Sequence, residues 1–264
     1  MRGYGNPGPL PGSCGNRMKL YFLGTNGWYD TDSGNTLSVL LDTGKAYVIF
    51  DAGGGFYKLD KYIKDNKPII LLLSHFHLDH IIGLHALNKF NFIQGISVFG
   101  PKGVSRIFKV IINTPYSMPV KMLKTKITVR EFSNNLKLPV DIRYRKLLHS
   151  SACYGYRVFA EGKSVVFCTD TGPCRNLELL AKGADILITE SSLPPGKIDN
   201  HWPHLNPQQA ARIAKNAKVK RLILAHFDAG IYLTNKDRIL AQSASRKIFK
   251  NTLAAKDGLT EVVR

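Results

Sequence analysis

The chain has 264 residues, enough for one large domain with a full hydrophobic core. Its composition, with 44% hydrophobic and 21% charged residues, is that of a globular protein, and the longest apolar run in its middle, at 69–73, is far too short to span a bilayer. The net charge of +18 draws the protein toward polyanions such as RNA, DNA and anionic membrane surfaces, although a basic surface without a partner gives the same charge.

The first segment, residues 1–17, contains five glycines, three prolines and two asparagines before the first strand-like run. This composition predicts a flexible tail, followed by a single domain over residues 18–264. The segment lacks the basic-then-apolar pattern of a secretory signal, so we expect a cytoplasmic protein without a membrane partner. No pair of the four cysteines has the spacing of a zinc knuckle or a redox motif, which agrees with reduced thiols.

Apolar alternation and helical spacing predict the secondary structure of the rest of the chain. Strands are predicted at 19–23, 36–41, 46–50, 69–73, 96–99, 126–132, 140–148, 154–160, 164–168, 185–189 and 221–225. Helices are predicted at 57–64, 81–90, 104–112, 176–182, 206–216 and 236–251. Strand hairpins come first, and strands then alternate with helices in both halves. This order predicts an α/β fold of two mixed sheets packed face to face with helices outside.

Basic residues are concentrated in one part of the chain. Residues 102–146 hold eleven lysines and arginines against only Glu131 and Asp141. This segment is a candidate surface for a polyanion, but a solvated basic face has the same composition.

Three histidines and an aspartate fall within six residues, directly after the apolar run at 69–73: His75, His77, Asp79 and His80. Side chains alternate in an extended loop, so His75 and His77 point the same way and can share one metal ion. Asp79 and His80 lie just beyond and can serve a second ion. Neutral imidazole and carboxylate are common ligands of zinc and related ions.

Further ligands follow other apolar strands. His149, Asp170 and His226 each come directly after such a run, where open active sites are often built. Each alone is more simply read as a capping or surface residue. Together with the six-residue cluster they predict a metal site, because convergent sets of His and Asp are rare elsewhere.

In order along the chain, this ligand set resembles that of the metallo-β-lactamase superfamily. Asp51, in the run Ile49-Phe50-Asp51-Ala52-Gly53, is similar to the first motif of that family, where the aspartate supports the metal-ligand loop. The resemblance implies a four-layer αββα sandwich and a hydrolase domain over residues 18–264. It also implies two divalent metal ions, zinc in the first place with manganese and iron as alternatives, and a bridging hydroxide as nucleophile.

The resemblance divides the ligands between the two ions. It implies that one ion is held by His75, His77 and His149. It implies that the other is held by Asp79, His80 and His226, with Asp170 bridging both.

Several segments resemble the ribonuclease Z branch of the superfamily, among them Leu20 to Thr25, Thr169-Asp170-Thr171-Gly172 and the stretch from His204 to Phe227. This branch carries a Glu and a His outside the metal set, thought to assist proton transfer, and Glu190 and His204 occupy those places. With Asp79 they form the predicted catalytic set. The alternatives are a surface loop carboxylate for Glu190 and a hydrogen bonder at a helix N-terminus for His204.

One departure from that branch changes the expected substrate. Ribonuclease Z has a long Gly/Pro-rich arm that grips tRNA between the third ligand and the bridging aspartate. Here only 21 positions separate His149 from Asp170, which predicts a simple hairpin. We therefore expect a phosphodiesterase that acts on a nucleotide, a cyclic phosphate or an RNA end, with a homodimer as one assembly compatible with the sequence.

Two other functions remain open at this point. A thioester or lactone hydrolase, similar to hydroxyacylglutathione hydrolases or acyl-homoserine lactonases, would need nearly the same metal site. A third interpretation is a nucleic-acid-binding protein without catalytic activity, but only metal binding requires all seven ligand residues.

Overall fold

The fold is seen in a computed structural model that describes residues 18–133, 136–199 and 201–264. The predicted tail, residues 1–17, lies outside the described residues, and its flexibility stays a prediction. Among the described residues, every helix is too short or too polar to cross a lipid bilayer.

The described residues form fifteen strands: β1 (Lys19–Gly24), β2 (Asn26–Gly27), β3 (Ser38–Asp42), β4 (Tyr47–Phe50), β5 (Ile69–Leu72), β6 (Ile96–Gly100), β7 (Ile127–Glu131), β8 (Asp141–Lys146), β9 (Tyr154–Ala160), β10 (Lys163–Cys168), β11 (Ile186–Glu190), β12 (Arg221–Ala225), β13 (Phe227–Asp228), β14 (Thr252–Ala254) and β15 (Thr260–Val262). The α-helices are α1 (Leu78–Ile81), α2 (Val104–Ile111), α3 (Arg175–Ala181), α4 (Pro207–Asn216) and α5 (Asn235–Arg246). Short 3-10 helices cover Gly54–Lys61, Ile82–Lys89 and Val120–Met122.

Two large mixed sheets carry the fold. In the described chain the first sheet has seven strands in the order β15-β1-β3-β4-β5-β6-β7, and the second has six in the order β14-β12-β11-β10-β9-β8. Strands β4, β5, β6 and β7 run parallel in the first sheet, as do β10, β11 and β12 in the second. A small pair, β2 with β13, joins the loops at one end of the sandwich.

Three apolar layers hold the sheets and helices together. Between the sheets, the rings of Phe50 and Phe167 stack with their centroids 4.8 Å apart. The outer face of the second sheet packs against α3, α4 and α5, and the outer face of the first packs against α2 and the longer 3-10 helices. Strands buried on both faces explain the continuous apolar runs in the sequence. The predicted α/β class and the four-layer αββα sandwich are confirmed.

The element boundaries differ from the predictions in a few places. The predicted helices at 57–64 and 81–90 are 3-10 helices; the first is displaced three residues toward the N-terminus, and the second lies within the predicted range. The last helix ends at Arg246 and not at residue 251, because the chain turns to place β14 beside β12. Strands of two or three residues at β2, β13, β14 and β15 were not predicted, since they depend on partners distant in sequence.

Candidate metal centre

Parallel strands of both sheets end at the same edge of the sandwich, and the predicted ligands lie there. Asp170 follows β10 and His226 follows β12, with φ angles of 55° and 48°. This left-handed conformation turns the chain sharply away from each strand, at a cost on the order of 1–3 kcal/mol that the surrounding contacts must offset. The structure brings together at this edge His75, His77, Asp79, His80, His149, Asp170 and His226.

The first group of possible ligands is His75, His77, His149 and Asp170, whose ligand atoms all lie within 4.8 Å of one another. His75 Nε2 is 3.4 Å and His149 Nε2 is 3.8 Å from the same carboxylate oxygen, Oδ2 of Asp170. His149 Nε2 is also 3.3 Å from His77 Nδ1. These nitrogens therefore point at a shared space and not at separate partners.

The second group is Asp79, His80, His226 and again Asp170, within the same 4.8 Å limit. His226 Nε2 lies 2.9 Å from Asp170 Oδ1 and 3.3 Å from Asp79 Oδ2. His80 Nε2 lies 3.3 Å from Asp170 Oδ2. Oδ2 of Asp170 therefore faces ligands of both groups, Oδ1 faces His226 of the second group, and Asp170 is the residue that the two groups share.

These residues fit divalent metal ions. His80 Nε2 and His226 Nε2 are only 3.1 Å apart, although two imidazole nitrogens can share at most one hydrogen. His75 Nε2 and Asp170 Oδ1 are buried and have no hydrogen bond of good geometry among the described residues. Buried polar atoms without such partners are costly unless a cation takes their lone pairs, and His with Asp is the donor set of zinc and similar ions.

Asp51 fixes the loop that carries the ligands. Its carboxylate is fully buried and accepts hydrogen bonds from Ser74 N at 2.6 Å, from Ser74 Oγ at 2.8 Å and from His80 Nδ1 at 2.8 Å. The bond to Nδ1 leaves Nε2 of His80 free to face the cluster. Ser192 Oγ contacts His226 Nδ1 in the same way, at 3.1 Å.

We expect Asp51→Asn to weaken metal binding about 10- to 100-fold without unfolding the protein. Asparagine tolerates the φ of 57° at this position. Its oxygen would stay with Ser74 N, so its NH2 group would face His80 Nδ1 and force the proton of the imidazole onto Nε2, the atom that faces the cluster. Zinc affinity measured by chelator competition, with imidazole tautomers read by 15N NMR, tests this.

The matched control is Asp185→Asn, which removes another buried carboxylate that accepts a backbone hydrogen bond, from Ser164 N at 2.7 Å, away from the cluster. This variant should lose stability and keep its zinc affinity. Unchanged affinity and tautomer in Asp51→Asn would refute the supporting role of Asp51.

Charge is divided unevenly over the cluster. Burial lowers the pKa of His149 to about 3 and also lowers that of His77. Burial alone would lower the pKa of His226 too, but the carboxylate of Asp170 outweighs it and raises the value to about 10. His77 and His149 therefore carry neutral imidazoles, the form that binds metal, whereas His226 must release a proton when it binds metal.

His204 and Glu190 form a pair beside the cluster. His204 Nδ1 lies 2.9 Å from Glu190 Oε1, and Glu190 also accepts hydrogen bonds from the backbone amides of Leu205 and Thr171. Burial opposes a charge on His204, but the adjacent carboxylate outweighs it, so the pKa of His204 is raised. The other ring nitrogen of His204 remains for the cavity.

The alternatives considered for this pair do not hold. Glu190 ends β11 and is fully buried, so it is not a surface carboxylate. The N-terminus of α4 is capped by Asn206 together with Gln209 and not by His204. His204 lines the cavity, whereas Glu190 lies behind it and does not.

A cavity of about 690 Å³ opens over the cluster. His77, Asp79, His149, Asp170 and His226 form its polar floor together with His204; its walls are Gly27, Trp28, Phe76, Leu78, Ser192, Leu193, Trp202 and Asp228. Sequence reasoning did not single out the wall residues, because they lie in loops or in elements too short to show periodicity. The one signal that pointed to them is that both tryptophans of the chain fall in such loops.

Comparison with known proteins gives one family and two groups of relatives. The model of the family described as Beta-lactamase superfamily domain matches residues 39–227. The curated relatives include ribonuclease Z of Ligilactobacillus salivarius, 27% identical over 91% of this chain and 95% of the relative. Ribonuclease Z of Enterococcus faecalis is also 27% identical, over 91% of this chain and 96% of the relative.

Similar solved structures include the metallo-β-lactamase fold protein YhfI from Bacillus subtilis, with a TM-score of 0.77 and 22% identity over 94% of this chain and 100% of that chain. The short form of human tRNase Z has a TM-score of 0.71 and 21% identity over 93% of this chain and 99% of that chain. At these identities the likeness shows a shared fold.

Proposed function

Because this chain belongs to the β-lactamase superfamily, we propose that it is a dinuclear phosphodiesterase that acts on a nucleotide, a cyclic phosphate or an RNA end. The resemblance that the motifs indicated is confirmed, and the chain is a metal-dependent hydrolase. The observation that carries the proposal is the position of Asp170 in both ligand groups, on the floor of a cavity that His204 also lines.

The residues of the cavity have separate roles in phosphodiester cleavage. Two divalent ions held by the seven ligands would supply an activated water and would neutralise the negative charge on the phosphoryl oxygens. His204, whose Nδ1 is held by Glu190, presents its other nitrogen to the cavity and can give a proton to the departing oxygen. Because Glu190 does not reach the cavity, we assign it a positioning role rather than the predicted catalytic one. Asp79 belongs to the second ligand group, and its carboxylate is positioned by a hydrogen bond of 2.9 Å from Trp28 N.

A short hairpin supports a substrate smaller than tRNA. Strands β9 and β10 are joined by a turn at Glu161 and Gly162, so no arm extends between His149 and Asp170 in this part of the described chain. The alignment with the ribonuclease Z of Ligilactobacillus salivarius spans 307 positions, more than the 264 residues of this chain. The relative therefore contains insertions that this chain lacks.

The basic side chains of the segment 102–146 are exposed and favour an anionic substrate. All eleven lysines and arginines of residues 102–146 are exposed, and in the described part of the chain only Arg143 among them has an ion-pair partner, Asp141. Strand β8 runs in the same direction as β10, so Lys146 at its end lies at the same edge as the metal cluster. An unpaired cation at that edge attracts phosphates toward the cavity.

Three finer assignments belong to the proposal. Zinc is the proposed metal because five imidazoles and two carboxylates make up the ligand set. A cytoplasmic location agrees with the reduced state proposed for the cysteines. A homodimer stays a prediction.

The proposal is tested by metal analysis and a substrate panel. We expect two divalent ions per chain, and we expect a chelator to abolish activity and to lower the Tm by about 5–10 °C. The panel compares an aryl phosphodiester, a cyclic nucleotide, precursor tRNA, a thioester and a lactone. Phosphodiester turnover should exceed thioester and lactone turnover at equal concentration.

Three outcomes of the same experiment would contradict the proposal. Full activity of metal-free protein would remove the proposed mechanism. Preferred cleavage of the thioester or the lactone would replace the phosphodiesterase by a carbon-centred hydrolase. Efficient cleavage of precursor tRNA would show that the missing arm does not limit the substrate.

A further inference from the structure

Both tryptophans of the chain stand exposed at the mouth of the cavity. Trp28 is 69% exposed and Trp202 is 53% exposed, and both line the cavity over the metal cluster. Tryptophan is usually largely buried, because its ring carries a large apolar surface. Two exposed indoles at one opening indicate a binding surface for a flat apolar group.

Trp28 is held in a strained conformation. Its φ of 76° is a genuine outlier for a bulky side chain. Its amide donates to Asp79 Oδ2, and Asn26 Nδ2 fixes the loop through Tyr29 O at 3.1 Å and Gly34 O at 2.8 Å. Strain that is maintained by so many contacts is typical of a functional position.

The loop of Trp28 also touches the cluster directly. A Cβ on Gly27 would lie 2.5 Å from Cε1 of His226, so only glycine allows this approach. The backbone of Gly27 and Trp28 thereby lies against His226 and Asp79, on the side of the second ligand group.

Trp202 stands on the side of the proposed proton donor. Its ring centroid is 5.7 Å from that of His204, and its backbone amide donates to Asp199 Oδ1 at 3.0 Å. A group that leaves with a proton from His204 therefore departs past the indole of Trp202.

We infer that Trp28 and Trp202 stack on the bases that flank the scissile phosphate, with Trp202 on the base of the leaving nucleotide. This inference rests on the proposed function. A single-stranded nucleic acid combines flat apolar rings with the negative charge that the exposed basic segment favours. Stacking needs no base-specific hydrogen bond, so the subsite accepts different bases.

Binding of adenosine 5′-monophosphate and of ribose 5-phosphate to the zinc-loaded protein tests the inference. The two probes share the phosphate and the sugar and differ only in the base. We expect the nucleotide to bind more tightly than ribose 5-phosphate. Because the probe has only one base, at least one of Trp28→Ala and Trp202→Ala should weaken its binding about 5- to 100-fold, while ribose 5-phosphate binding stays unchanged. Tyr116→Ala, at an aromatic residue 71% exposed that does not line the cavity, is the matched control.

Fluorescence gives a second readout, because Trp28→Phe and Trp202→Phe each leave one indole. Adenosine 5′-monophosphate should quench the remaining indole in at least one of the two variants, and ribose 5-phosphate should quench neither. Equal affinity for the two probes or absence of quenching would overturn the inference. So would a loss of nucleotide affinity in Leu78→Ala, at another residue of the cavity wall, as large as the loss in the tryptophan variants. Phosphodiester turnover is measured in parallel. A protein that cleaves phosphodiesters but binds the two probes equally well contradicts only this inference, whereas absence of turnover contradicts the proposed function.

Discussion

Asp170→Asn is expected to reduce phosphodiester turnover by at least about 1,000-fold and to remove both metal ions. Asp170 is the one residue common to the two ligand groups, with Oδ1 2.9 Å from His226 Nε2 and Oδ2 3.3 Å from His80 Nε2. An amide keeps the shape and tolerates the φ of 55° but offers only one oxygen and no charge. Turnover and metal content of the purified variant are the measurements.

Other variants separate this effect from a general loss of charge. Asp228→Asn removes a carboxylate from the same cavity outside both ligand groups and should keep both ions. His77→Ala touches only the first group and Asp79→Asn only the second, so each should retain about one ion per chain. A folded Asp170→Asn protein with two ions and normal turnover would disprove the bridging assignment.

His204→Ala is expected to slow cleavage of phosphodiesters with alkoxide leaving groups about 100- to 10,000-fold, and to slow an activated aryl phosphodiester only slightly. An aryl oxide leaves without a proton, whereas a ribose oxygen needs one, and His204 is the cavity residue placed to give it. The measurement is kcat for both substrates at saturating metal.

Glu190→Gln and His201→Ala complete this test. Glu190→Gln keeps the contact with His204 Nδ1 but removes the charge that raises the pKa of His204, so a smaller loss with the same leaving-group bias is expected. His201 is exposed and does not line the cavity, and its replacement should change neither substrate. Equal losses on both substrates in His204→Ala would exclude His204 as the proton donor.

Most of the fold, and the common position of the ligands at one edge of the sheets, could be predicted from the sequence. Long apolar runs such as 69–73 are decided by local pattern, and polar residues that follow parallel strands must meet where the strands end. His149, Asp170 and His226 were therefore predictable in position although they are distant in sequence. Only their distances needed the structure.

The walls of the cavity were not predictable in the same way. Trp28 takes its place from the pairing of β2 with β13, which joins residues about 200 positions apart, and from the side chain of Asn26. Glu190 was expected beyond the end of a strand at 189, but β11 includes it and buries it. Both cases depend on tertiary contacts that no local window contains.

The position of β15 beside β1 has a consequence for synthesis on the ribosome. Lys19 pairs with Val262, so the first sheet is completed only after almost the whole chain has emerged. Residues up to Asp170 can assemble the first ligand group early in translation, whereas the second waits for His226. A nascent chain therefore passes through a stage with half a centre and an open sheet edge, during which it depends on slow, long-range pairing to escape aggregation.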